Sequence, residues 1–218
     1  MGELMKNLYY IAIEGVIGAG KTSFAKLLSE RLKAKLILEK FEENPFLSDF
    51  YEDQERYAFQ AQMFFLLSRY KQQLELKQVD LFHNMLISDY MFEKDRLFAN
   101  LNLSDKELVL YDKIASLLEK ELTKPDLIVY LQANTERLMS NITKRGRDYE
   151  KEMPLEYIES LNHIYNEYFF RYNKTPLIII NTNEIDFVNN KEDLDELINV
   201  IRQPISGTVY YNPEGKKK

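Results

Sequence analysis

The sequence has few of the residues on which several kinds of site depend. Its 218 residues include no cysteine, which excludes disulfide bonds, thiolate zinc sites and cysteine nucleophiles. The two histidines, His83 and His163, are too few for a multi-histidine metal site, and we do not expect a charge-relay triad. Lysine and arginine total 29 against 35 aspartates and glutamates, a net charge of −6. This excess of acid argues against non-specific nucleic-acid binding, which rests on cationic contacts to phosphates.

Long hydrophobic runs are also missing. No apolar stretch approaches the roughly 18 residues of a membrane span, and the polar segment 1–7 lacks the apolar core of a signal peptide. We therefore expect a cytoplasmic protein without a membrane partner. Hydrophobic residues make up 45% and charged residues 29% of the chain, which is typical of a globular protein rather than a disordered one.

Short apolar segments alternate with helical patterns along the chain. The segments that read as strands are 9–13, 36–38, 85–87, 126–131 and 176–181. Strands that are apolar throughout are typical of a parallel sheet covered by helices on both faces. The sequence therefore predicts an α/β fold with a doubly wound, five-stranded parallel sheet. We expect one domain over residues 1–206, followed by a flexible tail over 207–218 that is rich in glycine, proline and lysine.

Three of the seven glycines lie within six residues of one another. They belong to the run Gly15-Val16-Ile17-Gly18-Ala19-Gly20-Lys21-Thr22, which fits the phosphate-binding pattern G-x-x-x-x-G-K-[ST]. In such a loop the backbone N–H groups turn toward phosphate oxygens, the lysine reaches the β- and γ-phosphates, and the threonine hydroxyl binds Mg²⁺. A predicted strand before the run and a predicted helix after it supply the required context. The sequence therefore predicts a site for a nucleoside triphosphate.

The phosphate-binding loop alone leaves the class of protein open. A GTPase switch needs an N-K-x-D loop, but Asn173-Lys174-Thr175 is followed by Pro176. A small-molecule kinase needs a lid that bears arginines, and Lys144-Arg145-Gly146-Arg147 supplies one, because planar arginine forks can hold a migrating phosphoryl group. The pattern favours such a kinase. A thymidylate-type nucleotide kinase and a switch module that only hydrolyses nucleotide remain as alternatives.

Several segments together resemble the motifs of the deoxynucleoside kinase family. They occur in the family's order, with nearly all of the family's spacings between motifs, over residues 9–201. The matching segments are Ile13-Glu14-Gly15 with the phosphate-binding loop, 38–47 with Phe50-Tyr51, Gln62 with Ser68-Arg69, Ser88-Asp89-Tyr90 running to Phe98-Ala99, 144–147 with Glu150, and Pro154-Leu155-Glu156-Tyr157. The segment Ser88-Asp89-Tyr90 is most similar to the corresponding motif of bacterial deoxyguanosine and deoxyadenosine kinases.

The resemblance implies catalytic roles for two acids at predicted strand ends. Glu39 resembles the general base that takes the proton of the nucleoside 5′-hydroxyl, and Asp89 resembles the acid near Mg²⁺. The sequence leaves open which of the two accepts the proton. Phosphoryl transfer asks for orientation more than for strong basicity, so a carboxylate suffices. Arg145 and Arg147 would act on the transferred group from the lid.

The spacing of two polar residues indicates a base-binding face. Gln62 and Arg69 are seven residues apart, or two helical turns, so they share one face of the stretch 55–77 with Phe65 between them. The resemblance implies further contacts: Tyr51 and Glu150 at the 3′-hydroxyl, Asp95 and Phe98 at the base, and Lys144, Asp186 and Phe187 at ATP. The position of Tyr51 also implies a preference for deoxyribose over ribose.

The sequence also departs from the family at three places, one of which is the stretch from Asp89 to Phe98, one residue shorter than in the deoxycytidine kinases of animals. Tyr90 stands where relatives often have an arginine, so we expect the phosphate contact there to be lost or moved. Asn141 stands where relatives usually have an arginine near the ATP adenine. With these exceptions, the resemblance implies a kinase of nucleotide salvage that uses ATP and Mg²⁺ to phosphorylate the 5′-hydroxyl of a purine deoxynucleoside. It also implies a homodimer, and no nucleic-acid partner is expected.

Overall fold

In the part of the chain that the structure describes, the sheet has six parallel strands. The computed structural model describes residues 10–76, 84–150 and 153–213. The strands are β1 Tyr10–Glu14, β2 Lys35–Ile37, β3 Leu86–Ser88, β4 Leu127–Gln132, β5 Leu177–Asn181 and β6 Thr208–Tyr211. Their order is β2-β3-β1-β4-β5-β6, and every neighbouring pair is parallel. All residues of β1 and β3 are buried, as expected for central strands covered on both faces. The α/β fold class is confirmed.

The sixth strand corrects the prediction of a flexible tail from residue 207. Thr208–Tyr211 pairs with β5, with Leu177 opposite Thr208 and Ile180 opposite Tyr211. Its residues alternate between exposed and half-buried, so no continuous apolar run marked them as a strand. The threonine, valine and two tyrosines nevertheless favour extended backbone. The lysines at 216–218 lie outside the described residues.

Eight helices occur in the described part of the chain, packed around the sheet. They are α1 Lys21–Leu32, α2 Leu47–Glu52, α3 Gln54–Leu76, α4 Lys94–Asn102, α5 Asp105–Glu119, α6 Thr135–Arg145, α7 Leu155–Arg171 and α8 Lys191–Ile201. Helix α6 begins at the cap Asn134, whose side chain accepts from the Arg137 amide, and it ends at Gly146 in a left-handed conformation. No helix of these ranges is long and apolar enough to cross a membrane.

The parallel arrangement collects the chemically interesting residues at one end of the sheet. Gly15 follows β1 directly, Asp89 follows β3 directly, and Glu39 comes two residues after β2. The strand order changes direction beside β1, and ligands of open α/β sheets bind at such a point outside the carboxyl ends of the strands. The fold therefore places the phosphate-binding loop and both predicted acids at the usual ligand position.

Candidate active site

The phosphate-binding loop closes tightly around the end of β1. Gly18 and Gly20 have φ values of 86° and 89°, a left-handed conformation that glycine adopts without strain. A Cβ on Gly18 would lie 2.6 Å from the carbonyl oxygen of Leu138 on α6, so the loop and α6 can approach only because the residue is glycine. The Lys21 ammonium donates to the carbonyl oxygens of Gly15 (2.8 Å) and Val16 (3.1 Å).

A cleft beside this loop is lined by most of the residues predicted to bind ATP; Gly15 and Val16 do not line it, and Ile17 lines a neighbouring cavity instead. We call it the P-loop cleft. It is lined by residues 18–23, by Arg137, Ser140, Asn141, Lys144, Arg145 and Arg147 of the lid region, and by Thr182 and Ile185–Asn189. Lys144, Asp186 and Phe187 all lie here. Helix α1 begins at the end of the loop with the cap Gly20, which offers no side chain, and the N–H groups of such a helix start are suited to bind phosphate oxygens.

Arg137 is a cleft residue that the sequence reasoning missed. It lies one turn before Asn141 on α6 and donates to the Ile185 carbonyl (3.1 Å). Asn141, the residue that departs from the family, donates instead to the Gly18 carbonyl (2.8 Å) and so fastens α6 to the phosphate-binding loop. The spacing of four residues between Arg137 and Asn141 could have indicated this role, because it puts both side chains on one face of the helix.

A second cavity adjoins the cleft and contains the predicted substrate residues. We call it the Glu39 cavity. Its polar lining is Lys21, Thr22, Glu39, Gln62, Arg69, Asp89, Lys94, Asn102, Arg145, Arg147 and Glu150, and its apolar and aromatic lining includes Phe41, Phe50, Tyr51, Phe65, Phe98, Tyr149 and Tyr157. The two cavities share Lys21, Thr22, Arg145 and Arg147. A group bound in one can therefore meet a group bound in the other beside the phosphate-binding loop.

Glu39 is held as a carboxylate by two cations. Its Oε1 accepts from Arg69 Nε (2.8 Å) and from Arg69 Nη2, and its Oε2 accepts from Lys94 Nζ (2.6 Å). Burial alone would raise the pKa of Glu39, but the charges and hydrogen bonds of Arg69 and Lys94 outweigh it and lower the pKa below its ordinary value. Glu39 is therefore ionised at neutral pH.

Asp89 contacts the hydroxyl that the motif assigns to Mg²⁺. Its Oδ2 accepts from Thr22 Oγ1 (2.6 Å), and its Oδ1 accepts from the Glu39 amide (2.7 Å). Burial raises the pKa of Asp89, while the bond from Thr22 opposes the shift. Hydroxyl and carboxylate oxygens suit Mg²⁺, which usually takes one or two carboxylates together with phosphate oxygens. Within the described residues no cluster of three histidine, aspartate or glutamate side chains that could hold a metal ion occurs. The Thr22 hydroxyl and the Asp89 carboxylate are oxygen ligands of the kind that Mg²⁺ takes together with phosphate oxygens.

The structure corrects the prediction that Asp95 contacts the base. Asp95 is fully buried and does not line the Glu39 cavity. Its carboxylate forms an ion pair with Arg69 Nη1 and accepts from the Tyr111 hydroxyl (2.6 Å). Its carbonyl oxygen accepts from Gln62 Nε2 (2.8 Å). The buried guanidinium of Arg69 needs negative charge beside it. Glu39 supplies this charge on one side and Asp95 on the other.

The lid arginines lie where the two cavities meet. Arg145 binds both carboxylate oxygens of Glu150, with Nη2 at 2.6 Å from each. Arg147 reaches the same carboxylate (3.4 Å) and stacks its guanidinium over the Phe41 ring at 4.1 Å. The lid arginines are thus anchored on Glu150, one of the two residues predicted at the 3′-hydroxyl.

The other residue predicted at the 3′-hydroxyl, Tyr51, also lines the Glu39 cavity. Its ring stacks against that of Tyr149, with centroids 5.8 Å apart and the planes 17° from parallel. Tyr149, beside Glu150 in the lid segment, did not stand out in the sequence. The described structure therefore brings together every predicted nucleoside contact except Asp95.

Glu14 is a further residue whose role the sequence did not reveal. It is fully buried at the end of β1, where it accepts from the amides of Gly15 (3.1 Å) and Met91 (2.7 Å). Burial raises the pKa of Glu14 to about 7, although Lys94 and Lys21 oppose the shift. The carboxylate ties the phosphate-binding loop to the segment after Asp89. The signals in the sequence were an acid at the end of an otherwise apolar strand and its place in the matching segment Ile13-Glu14-Gly15.

The fold and the site define a P-loop phosphotransferase, with a triphosphate cleft and an adjoining acceptor cavity that contains a buried carboxylate. The chain belongs to the deoxynucleoside kinase family, because the model of that family, described as "Deoxynucleoside kinase", matches residues 11–206. It is an enzyme that transfers a phosphoryl group from a nucleotide to a nucleoside. This membership confirms the resemblance seen in the motifs.

Individual relatives support the same family. The chain is 35% identical to a deoxyguanosine kinase of Bacillus subtilis over 206 residues, which cover 92% of this chain and 100% of the relative. It is 35% identical to a deoxyadenosine kinase of Dictyostelium discoideum over 181 residues, covering 80% of this chain and 73% of the relative. A solved deoxyadenosine kinase from M. mycoides with bound dATP superposes with a TM-score of 0.78 at 27% identity, covering 89% of this chain and 100% of that one.

Proposed function

We propose that this protein transfers the γ-phosphoryl group of ATP to the 5′-hydroxyl of a purine deoxynucleoside in nucleotide salvage. The observation that carries the proposal is the position of Glu39. Its ionised carboxylate lines the same cavity as Lys21, Thr22 and the lid arginines. A hydroxyl bound against Glu39 would therefore face a phosphate bound at the loop.

The proposed mechanism uses one cavity for each substrate. ATP occupies the P-loop cleft, and the nucleoside occupies the Glu39 cavity with its 5′-hydroxyl against Glu39. The hydroxyl proton passes to the Glu39 carboxylate as the 5′-oxygen bonds to the γ-phosphorus, and the bond from that phosphorus to the bridging oxygen breaks to release ADP. Lys21, Arg145 and Arg147 would stabilise the charge on the transferred group. Thr22 and Asp89 would hold Mg²⁺, which neutralises phosphate charge when bound.

The preference for a purine base rests on the relatives. Those with the higher identities include proteins named deoxyguanosine kinase and deoxyadenosine kinase. The cavity itself offers an amide at Gln62, which can both donate and accept, but Arg69 directs its donors at Glu39 and Asp95. The contacts of the cavity do not choose between adenine and guanine. Tyr51, in the position implied for the 3′-hydroxyl, supports a deoxyribose rather than a ribose.

A phosphorylation assay tests this function. Wild-type protein with ATP and Mg²⁺ is offered the four deoxynucleosides, their ribose forms and the deoxynucleoside monophosphates. We expect deoxyadenosine or deoxyguanosine to be the best substrate and thymidine the poorest. Preferred turnover of a monophosphate would favour a thymidylate-type kinase, and ADP release without any acceptor would favour a switch module. A thymidine preference would contradict the purine assignment alone.

The lid arginine Arg145 should act on the transition state. Arg145→Lys keeps the charge but removes the planar fork, so we expect kcat to fall by about 10-fold or more while the nucleoside KM rises less. Steady-state kinetics in both substrates measure the two constants. Arg171→Lys, the same change at an exposed position on α7, is the matched control and should leave both unchanged. Small, equal changes in Arg145→Lys would reduce Arg145 to an anchor for Glu150.

The homodimer and the cytoplasmic location implied at the sequence level are also part of this proposal. Val109 and Leu117 on α5 and Phe170 on α7 are exposed apolar side chains of the kind that a self-association surface would cover. Light scattering on the intact protein should give twice the chain mass of 26.0 kDa. The mass of a single chain would contradict the homodimer.

A further inference from the structure

Lys94 is a buried cation that neither the phosphate-binding motif nor the lid explains. Its side chain is only 6% exposed, and Nζ donates to Glu39 Oε2 at 2.6 Å. Nζ also lies 5.6 Å from the centre of the Phe98 ring. Lys94 is the first residue of α4, where the helix dipole disfavours a cation, and burial disfavours it further. A lysine in such a place needs an anionic partner.

Glu39 is one anionic partner of Lys94, but the cavity also contains the ammonium group of Lys21. Lys21 and Lys94 both line the Glu39 cavity, together with Thr22 and Asp89. Lys21 comes from the phosphate-binding loop and Lys94 from α4, so two ammonium groups on different elements face one space. An anionic ligand between them would offset their repulsion, and a phosphoryl group is the anion that this site is built to receive.

Arg69 is less suited to meet that anion than Lys94. Its guanidinium is bound to Glu39 on one side and to Asp95 on the other. The ammonium of Lys94 carries three donors, of which one is directed at Glu39. Tyr90, at the place where a phosphate contact was expected to be lost or moved, is fully buried and does not line the cavity. Lys94, four residues further along, does.

We propose that Lys94 is a catalytic residue that hydrogen-bonds the phosphoryl group during transfer and the 5′-phosphate of the product afterwards. This inference rests on the proposed function. The 5′-hydroxyl proton goes to Glu39, the bond from the 5′-oxygen to the γ-phosphorus forms, and the electrons of the breaking bond leave with ADP. Lys94 keeps its protons throughout. It contributes charge at the oxygens of the migrating group and, through Glu39 Oε2, it also orients the base.

Binding of product and substrate separates this role from a structural one. Calorimetry on the intact protein without ATP compares deoxyadenosine with dAMP and deoxyguanosine with dGMP. In Lys94→Gln we expect the Kd of the monophosphate to rise by about 10-fold or more, the scale of a lost charge-assisted hydrogen bond. The Kd of the nucleoside should stay within about threefold of wild type, because a missing phosphate contact does not affect it.

Two further variants and a control complete the experiment. Lys94→Arg keeps a cation and should recover part of the monophosphate affinity. Lys106→Gln, at an exposed position on α5, should change neither Kd. If Lys94→Gln fails to fold, Lys94→Met retains an unbranched stem beside Phe98 and is expected to give the same two results. Equal weakening of nucleoside and monophosphate, or weakening of neither, would overturn the proposal.

A double-mutant cycle in kcat gives an independent readout. If Lys94 acted only by holding Glu39, then Lys94→Gln would cost nothing further in a Glu39→Gln background. We expect a further loss of about 10-fold, because the contact to the phosphoryl group does not depend on the carboxylate. Wild-type protein that binds neither nucleosides nor monophosphates would sink the proposed function itself, whereas the outcomes above concern Lys94 alone.

Discussion

Replacing Glu39 with glutamine should lower kcat by roughly 10²-fold or more while ATP binding stays close to wild type. The amide has almost the same shape but cannot accept the proton of a hydroxyl. The phosphate-binding loop keeps its own contacts, because Lys21 is held by the Gly15 and Val16 carbonyls and not by Glu39. Steady-state kinetics measure the loss, and calorimetry measures ATP affinity. Glu55→Gln, at an exposed position on α3, is the matched control.

The companion variant Asp89→Asn decides between the two acids. We expect it to change the Mg²⁺ dependence of the rate, because Asp89 contacts the Thr22 hydroxyl. If Glu39→Gln kept a near-normal kcat, while Asp89→Asn lost activity with an unchanged response to Mg²⁺, the two roles would be reversed. The geometry favours Glu39 as the base, because its carboxylate lines the cavity proposed for the nucleoside, whereas Asp89 is bonded to the Thr22 hydroxyl proposed to hold Mg²⁺.

Asp95→Ala should lower the free energy of unfolding by about 3–5 kcal/mol, the usual cost of removing one partner from a buried ion pair. Arg69 would lose the anion opposite Glu39, and the Tyr111 hydroxyl would lose its acceptor. Urea unfolding measures the difference. Asp112→Ala on α5 is the control. Asp112 is half exposed, and its carboxylate approaches Arg96 no closer than 4.0 Å, so its removal should change the free energy of unfolding little.

A double variant sharpens this prediction. Arg69→Met with Asp95→Ala removes both buried charges, so it should lose less stability than Asp95→Ala alone, although Glu39 then keeps only Lys94. A single Asp95→Ala variant as stable as wild type, but altered in base preference, would place Asp95 at the base after all.

The sequence predicted the parts of the site that local pattern determines. The loop from Gly15 to Thr22 is contiguous, and its glycines adopt the backbone that the motif needs. Glu39 and Asp89 could be placed together because the ends of parallel strands meet at one end of a sheet. The helical period likewise brought Gln62 and Arg69 to one cavity. Their roles in catalysis and binding stay predictions until the variants are measured.

The contacts that the sequence did not predict depend on how separate helices pack. Arg69 lies on α3, whereas Lys94 and Asp95 begin α4, and only the packing of these helices decides which of two adjacent residues faces the cavity. Lys94 faces it and Asp95 turns away toward Tyr111. No periodicity within one element contains this information. Strand β6 escaped prediction for a related reason, because its pairing with β5 is a long-range contact.

The position of β6 has a consequence for how the chain can be shortened. The match to the family model stops at residue 206, two residues before β6 begins. A chain cut there would leave the apolar strand Leu177–Asn181 with unpaired N–H and C=O groups, a template on which another copy could add its own strand and start an aggregate. The Tyr211 hydroxyl, which donates to Glu196 of α8, helps to keep that cover in place. We therefore expect a chain that ends before β6 to aggregate more readily, so an expression boundary belongs beyond Tyr211.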